Sequence, residues 1–182
     1  MISSRKELNR VLVNEKKQYI SGSKFRTLHL HMLRDHDYLL WEYVKSLRYT
    51  EYHFNKKHKI RYWVWQRVKN QRGASLGITM WHNTIGEGLK IWHYGSIMVN
   101  GHAKIGQNCQ LHGENCIGNK GRANEAAPTI GNNVDIGVGA KVIGDIYIAD
   151  NVVIGANAVV NKSCYEKGAV LVGVPARQVA VK

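Results

Sequence analysis

The sequence predicts a mainly β fold: a parallel β-helix, preceded by an α-helical segment and followed by a C-terminal tail. Three observations predict it. Aliphatic residues recur every six positions through the second part of the chain, 17 of the 18 glycines lie at or after Gly73, and the first part is basic with apolar residues at helical spacing.

A chain of 182 residues with 44% hydrophobic content forms one domain, or one domain with an appendage. No apolar run approaches the roughly 20 residues that cross a bilayer. The opening MISSRKELNRVLVNEKKQ lacks the apolar region of a signal peptide. Cys109, Cys116 and Cys164 are odd in number and form no metal-ligand pattern, which points to a reducing, cytoplasmic setting. The net charge of +13 is uneven: residues 1–72 hold 17 Lys and Arg against 6 Asp and Glu, and residues 73–182 hold 9 against 7. Charge and glycine together divide the chain into a basic helical segment, 1–72, and a repeat domain, 73–182, with the boundary near 71–77. The basic segment suits an acidic membrane surface or an anionic glycan, and a solvated helix surface accounts for it equally. Nucleic acid is not the expected partner, because there is no helix-turn-helix or zinc pattern and the aromatics fall at helix-core spacing.

Within 1–72, Ser3 or Ser4 can cap a first helix with Glu7 completing a capping box. Leu8, Val11 and Leu12 give that helix one apolar face. After SGSK at 21–24, apolar residues at helical spacing (Leu28, Met32, Tyr38–Leu39, Tyr43, Leu47) predict a helix over 24–48. Ile60, Val64 and Val68 align another over 52–68. Trp63 and Trp65 cannot share its face, so one packs elsewhere. His29, His31, His36, His53 and His58 read as helix surface.

The repeat follows. Ile130, Ile136, Val142, Ile148, Ile154 and Val160 are six apart, as are Val99, Ile105, Leu111 and Ile117, and the earlier pair Ile85 and Ile91. Six fits neither the 3.6 of a helix nor the 2 of a simple sheet. It fits one short strand and one corner per six residues, with three units closing a triangular coil and the aliphatic side chain pointing to the axis. Glycine and asparagine take the corners, where positive φ is common. The ends of such a stack need covering, a role open to the helical segment. Two breaks interrupt the period. Ile91 and Val99 are eight apart, and this break holds His93. Ile117 and Ile130 are thirteen apart, so residues 119–129 leave the stack as a protruding polar loop, where function tends to sit.

The segment IGEGLKIWHYGSIMVNGHAKIG and the ending IGANAVVNKSCYEKGAVLVGVPARQV resemble the hexapeptide-repeat acyltransferases with a left-handed β-helix, over about residues 75–180. Within them the chain is similar to the serine acetyltransferase-like branch, including the forms found in bacterial surface-polysaccharide pathways. The resemblance implies an acetyl-CoA-dependent O-acetyltransferase with His93 as its base. Departures bear on the acceptor. The branch's aspartate before the histidine is Trp92 here, its Arg-His-Pro aligns with Ala126, Ala127 and Pro128, and its orienting aspartate aligns with Ile78. A serine zwitterion needs charged partners when desolvated, and three are missing. Trp92 and Tyr94 offer flat apolar faces that suit a sugar ring. The expected acceptor is therefore a sugar or polysaccharide hydroxyl, with serine O-acetyltransfer as one alternative and a non-catalytic or zinc-binding β-helix protein as another.

A hydroxyl is a poor nucleophile at neutral pH, and a histidine near its normal pKa can take its proton. A backbone N–H would meet the oxyanion. Glu87 or Glu114, or a backbone carbonyl, could orient His93. Gly139, Ala140 and Ala156 are small enough to line a pantetheine arm, with corner geometry as the alternative reason for their size. By resemblance Asn161, Lys162 and Arg177 fall where the family contacts coenzyme A, the two cations meeting phosphates. A rival reading is zinc held by histidines among His82, His93, His102 and His112, as in carbonic-anhydrase-like members of the fold. Their spacing does not match that pattern, so no metal is expected, and His102 and His112 read as surface or interface residues. The family is typically trimeric with sites between subunits. A homotrimer would triple the N-terminal positive charge and favour an anionic or lipid-linked glycan acceptor.

Overall fold

The computed structural model describes residues 2–121 and 126–181. The chain divides into two compact units, Met1–Leu76 and Gly77–Lys182. The first is helical: α1 (Arg5–Tyr19), α2 (Lys24–Met32), α3 (His36–Asn55) and α4 (Lys59–Leu76). Helix α4 runs four residues past the compositional boundary at 72, through the buried Gly73. Ser4 caps α1, accepting from the Glu7 N–H at 3.1 Å, while the Glu7 carboxylate accepts from the Ser3 N–H at 2.9 Å. Leu8 and Val11 of α1 pack with Ile2 and Tyr52.

The helix expected over 24–48 is two helices. Arg34 takes a left-handed conformation, φ +51, and Asp35 starts α3 by accepting from the Asp37 N–H at 3.0 Å. The next boundary also moves: α3 continues to Asn55, and the left-handed Lys57, φ +56, turns the chain into α4. Ile60 and Val64, expected in a core face, are exposed. Trp65 stacks on Tyr49 of α3, with centroids 4.2 Å apart and planes at 10°, and Trp63 on the other side is exposed. His53 is buried rather than superficial, its Nδ1 3.1 Å from Nδ1 of His58. At the centre of this unit Arg48 is fully buried between two carboxylates. Its Nη2 lies 2.7 Å from Glu15 Oε1 and its Nη1 3.1 Å from Glu51 Oε2. Glu51 Oε1 also accepts from the Ile2 N–H at 3.0 Å, tying the chain start to α3. No described helix is long and apolar enough to cross a membrane.

The second unit is a three-sided parallel β-helix. One side is formed by β1 (Ile78–Thr79), β3 (Ile97–Val99), β6 (Cys116–Gly118), β9 (Lys141–Ile143) and β12 (Val159–Val160). The second holds β4 (Lys104–Ile105), β7 (Thr129–Ile130) and β10 (Tyr147–Ile148). The third runs β2 (Lys90–Ile91), β5 (Gln110–Leu111), β8 (Asp135–Ile136) and β11 (Val153–Ile154), then β13 (Ala169–Gly173) and β14 (Ala176–Val181). Undisturbed coils pair residues 18 apart, as Lys141 with Val159. The two breaks in the period lengthen a coil without breaking the ladder: Ile91 pairs with Leu111, 20 residues on, and Cys116 with Lys141, 25 on.

All twelve aliphatic residues of the six-residue period are buried, as the sequence predicts. At roughly 1.5–3 kcal/mol for each buried aliphatic side chain, this ladder dominates the unit's stability. A second buried ladder stands two residues before it, at Ala103, Cys109, Asn115, Val134, Ala140, Ile146, Val152 and Ala158. Burial, then nearby Asp135, pushes the Cys109 thiol up to about 12. One corner is an asparagine stack: Asn108 donates to Asn133 at 2.9 Å and Asn133 to Asn151 at 3.1 Å, all at positive φ. Gly88 sits under this stack because any Cβ there would lie 2.1 Å from Asn108 Oδ1. Between 119 and 129 the excursion is shorter than its expected span at its far end, since Ala127 and Pro128 are buried and the Pro128 carbonyl accepts from Lys104 N–H at 3.0 Å; residues 122–125 of that loop lie outside the described residues. The C-terminal tail is part of the sheet, because β14 turns back antiparallel on β13.

Replacing Arg48 with methionine would leave Glu15 and Glu51 buried without their cation, which costs about 3–5 kcal/mol. Urea unfolding followed by helical circular dichroism should show that loss, while Arg72→Met, at a half-exposed pair with Glu42, should show a much smaller one.

Candidate functional site

The site begins where β2 ends. Trp92 keeps the ladder, its N–H donating to Leu111 O at 2.8 Å. The next residues use the two extra positions of the long coil to swing outward, and Gly95, φ +112, and Ser96, φ +47, return the chain to β3. His93 is exposed on this turn, with Trp92 42% and Tyr94 44% exposed beside it. The turn is braced from the neighbouring coil. Glu114 N–H donates to Gly95 O at 2.9 Å, and a Cβ on Gly113, φ +112, would lie 3.3 Å from His93 O and 3.4 Å from His93 Cβ. Gly113 is fixed in turn by Asn115, the one amide in the second buried ladder. Asn115 Oδ1 accepts from Gly113 N–H at 3.0 Å and its amide donates to Gly137 O at 2.7 Å. A buried amide without partners is unfavourable, so this one is held by the corners it joins.

Five outward side chains of adjacent coils interlock beside His93. Trp92 Nε1 donates to Gln110 Oε1 at 2.9 Å. The Trp92 ring stacks on the His112 ring, with centroids 5.6 Å apart and planes at 22°. His112 Nε2 lies 2.7 Å from Asp135 Oδ1, and Lys90 Nζ stands 4.9 Å from the Trp92 centroid. The indole is thereby held in one orientation. The sequence alone marks His112 only as a surface or interface residue. Its signal was the register: Trp92 follows Ile91, His112 follows Leu111, and those two aliphatics pair across the eight-residue break.

The other expected residues separate into two places. Lys162 and Arg177 line one cleft of about 360 Å³ with Tyr165, Glu166 and Gln178. Asn161 and Ala156 are exposed. Ala140 is a correction: it belongs to the second buried ladder, so its side chain fills the coil interior and leaves only backbone for a ligand. Gly139 is buried at φ +72, and a Cβ there would lie 2.1 Å from Asn157 Oδ1, so corner geometry suffices to explain it. Ile78 is buried in the coil interior. Glu114 sits in the corner at φ +54, where its carbonyl accepts from Lys141 Nζ. Among the described residues no group of three or more His, Cys, Asp or Glu is placed to hold a metal ion.

A three-sided stack with a histidine on an outward turn fits the hexapeptide-repeat acyltransferase class, and comparison with known proteins agrees. No family model matches the chain. A serine acetyltransferase of Helicobacter pylori strain J99 is 34% identical over 125 residues, 67% of this chain and 72% of that protein. The putative colanic acid biosynthesis acetyltransferase WcaB of Escherichia coli K12 is 35% identical over 99 residues, 54% of this chain and 60% of that one. Among solved structures, serine acetyltransferase from Brucella abortus superimposes with a TM-score of 0.78 at 21% identity, covering 97% of this chain and 70% of that one. The soybean apoenzyme gives 0.76 at 22%, covering 94% and 69%. The chain belongs to the serine acetyltransferase family, with its left-handed β-helix. It spans 38% of the Synechococcus elongatus serine acetyltransferase, 56% of the Mycobacterium tuberculosis one and 62% of that from Helicobacter pylori strain 26695.

Gly113→Ala tests the brace. A side chain at φ +112 is strained by about 1–3 kcal/mol and presses on the His93 backbone. Unfolding should become easier by that amount, and the His93 imidazole resonances should shift in NMR spectra relative to those of the parent protein.

Proposed function

We propose that the chain transfers an acetyl group from acetyl-CoA to a hydroxyl of a sugar or polysaccharide of the capsule or exopolysaccharide type. The observation that carries this reading is the oriented Trp92 indole, fixed by Gln110 and His112 beside an exposed His93. A flat apolar face next to a base suits a sugar ring, whose axial C–H groups pack on an aromatic plane while its hydroxyls remain free to react. The positions that would carry charge for an amino-acid acceptor are Trp92, Ala126 and Ala127. The name of the WcaB relative supports a glycan acceptor.

In the proposed reaction the His93 imidazole takes the proton of the acceptor hydroxyl as its oxygen attacks the thioester carbonyl carbon. The tetrahedral intermediate collapses, the C–S bond breaks, and the imidazolium returns the proton to the departing coenzyme A thiolate. Trp92 and Tyr94 hold the acceptor. Lys162 and Arg177, which share one cleft, meet coenzyme A phosphates; Asn161, by resemblance to the family, and the small Ala156 contact the rest of the donor. The open surroundings of His93 in a single chain fit a homotrimer in which a neighbouring subunit closes the site. Acetyl-CoA as donor sets the reaction in the cytoplasm. The second reading is serine O-acetylation, favoured by the Helicobacter pylori relative.

Purified protein with acetyl-CoA, followed by thiol release, separates these readings. Acetylation of sugar or polysaccharide acceptors with serine inert is the expected result, and preference for serine would overturn it. His93→Ala should lower turnover by about 10²–10⁴ while calorimetry shows acetyl-CoA still binding. Lys162→Ala with Arg177→Ala should raise KM for acetyl-CoA about tenfold or more, as loss of charge-assisted hydrogen bonds implies, with kcat little changed.

A further inference from the structure

The helical unit carries a surface that the proposed chemistry does not use. On α4, Ile60 is 82% exposed, Trp63 75% and Val64 54%. Spaced three and four apart, they form one stripe on one helix face. Leaving a large indole and two branched side chains in water is unfavourable, and contiguous exposed apolar groups mark contact surfaces. The flanks are basic. Residues 52–76 contain seven Lys and Arg and no Asp or Glu. Lys57, Lys59 and Arg61 line a concavity at the start of α4 together with Ile60, and Arg67 lines another with Trp63 and Val64. Arg72 is paired with Glu42, whereas Lys57, Lys59, Arg61 and Arg67 are exposed.

We propose that this face of α4 docks on an anionic phospholipid bilayer. Ile60, Trp63 and Val64 enter the boundary between headgroups and acyl chains, and the flanking cations meet lipid phosphates. Charge selects this occupant. A second copy of the same face would set the exposed Lys57, Lys59, Arg61 and Arg67 against their own copies, and like charges repel. A nucleic acid would satisfy the cations but leave Ile60 and Val64 against phosphate and water. A bilayer surface satisfies both sets of groups, and tryptophan favours the depth at which it would sit. The docking draws on no residue of the β-helix, so it stands or fails independently of the acyl-transfer reading.

Cosedimentation of the full chain with vesicles tests it. Binding to phosphatidylcholine vesicles containing phosphatidylglycerol is expected, with little binding to phosphatidylcholine alone and release by added salt. Ile60→Ser with Trp63→Ser should weaken binding at least about tenfold, and Arg61→Gln with Arg67→Gln should weaken it while reducing its salt dependence. All four residues are exposed, and circular dichroism checks that the helices persist. Absence of binding to the anionic vesicles overturns the proposal. So does vesicle binding that Ile60→Ser with Trp63→Ser leaves intact. A change of oligomeric state in that variant without vesicle binding, or tighter binding to duplex DNA than to vesicles, overturns it in favour of self-association or nucleic acid.

Discussion

Everything in the β-helix depends on one alignment: each inward aliphatic side chain must lie over its equivalents in the coils above and below. The hydrophobic gain is shared between neighbouring coils, so a single residue out of phase would expose its own side chain and leave a gap beside two others. The chain can therefore lengthen only where it turns. Both departures from the period occur at such turns, and in both the ladder resumes in phase, at Leu111 opposite Ile91 and at Lys141 opposite Cys116. The first departure presents His93. The rigid stack thus supplies position, and the extra residues supply reach.

The same alignment explains why a polar residue is found where aliphatics belong. Asn115 occupies a place held elsewhere by alanine, cysteine, valine or isoleucine. Its amide joins two corners, at Gly113 and Gly137, and Gly113 in turn supports the turn that carries His93. A desolvated amide is tolerable only when its donors and acceptors are met, and here meeting them braces the candidate site. On the outside of the same coils, the chain from Asp135 through His112 to Trp92 does for the indole what Asn115 does for the backbone.

Much of this was legible in the sequence because a six-residue period is a direct consequence of backbone geometry. Ile85 to Val160 could be placed inside the coil without further information, and the histidine in the eight-residue break followed from that frame. What escaped the reading has physical causes. Arg34 and Lys57 end helices by adopting left-handed conformations, and neither residue type signals a turn. Ile60 and Val64 have the spacing of a buried face, but spacing does not say whether anything covers it. Ala140 looked like a wall residue because small residues suit both a cofactor groove and the second inner ladder, and only the register separates the two. His112 and Asp135 are 23 residues apart, and their meeting depends on adding one insertion to a three-sided repeat.

The excursion near residue 120 has a further consequence, for how such a protein can change. Because Gly118 and Ile143 remain paired across it, the stack does not register how many residues lie between its departure and return. The entropy of a longer closed loop grows only logarithmically with its length. A lineage can therefore lengthen, shorten or exchange that segment without renegotiating the fold that holds the histidine. The β-helix behaves as a chassis whose corners can take on new sequence one insertion at a time.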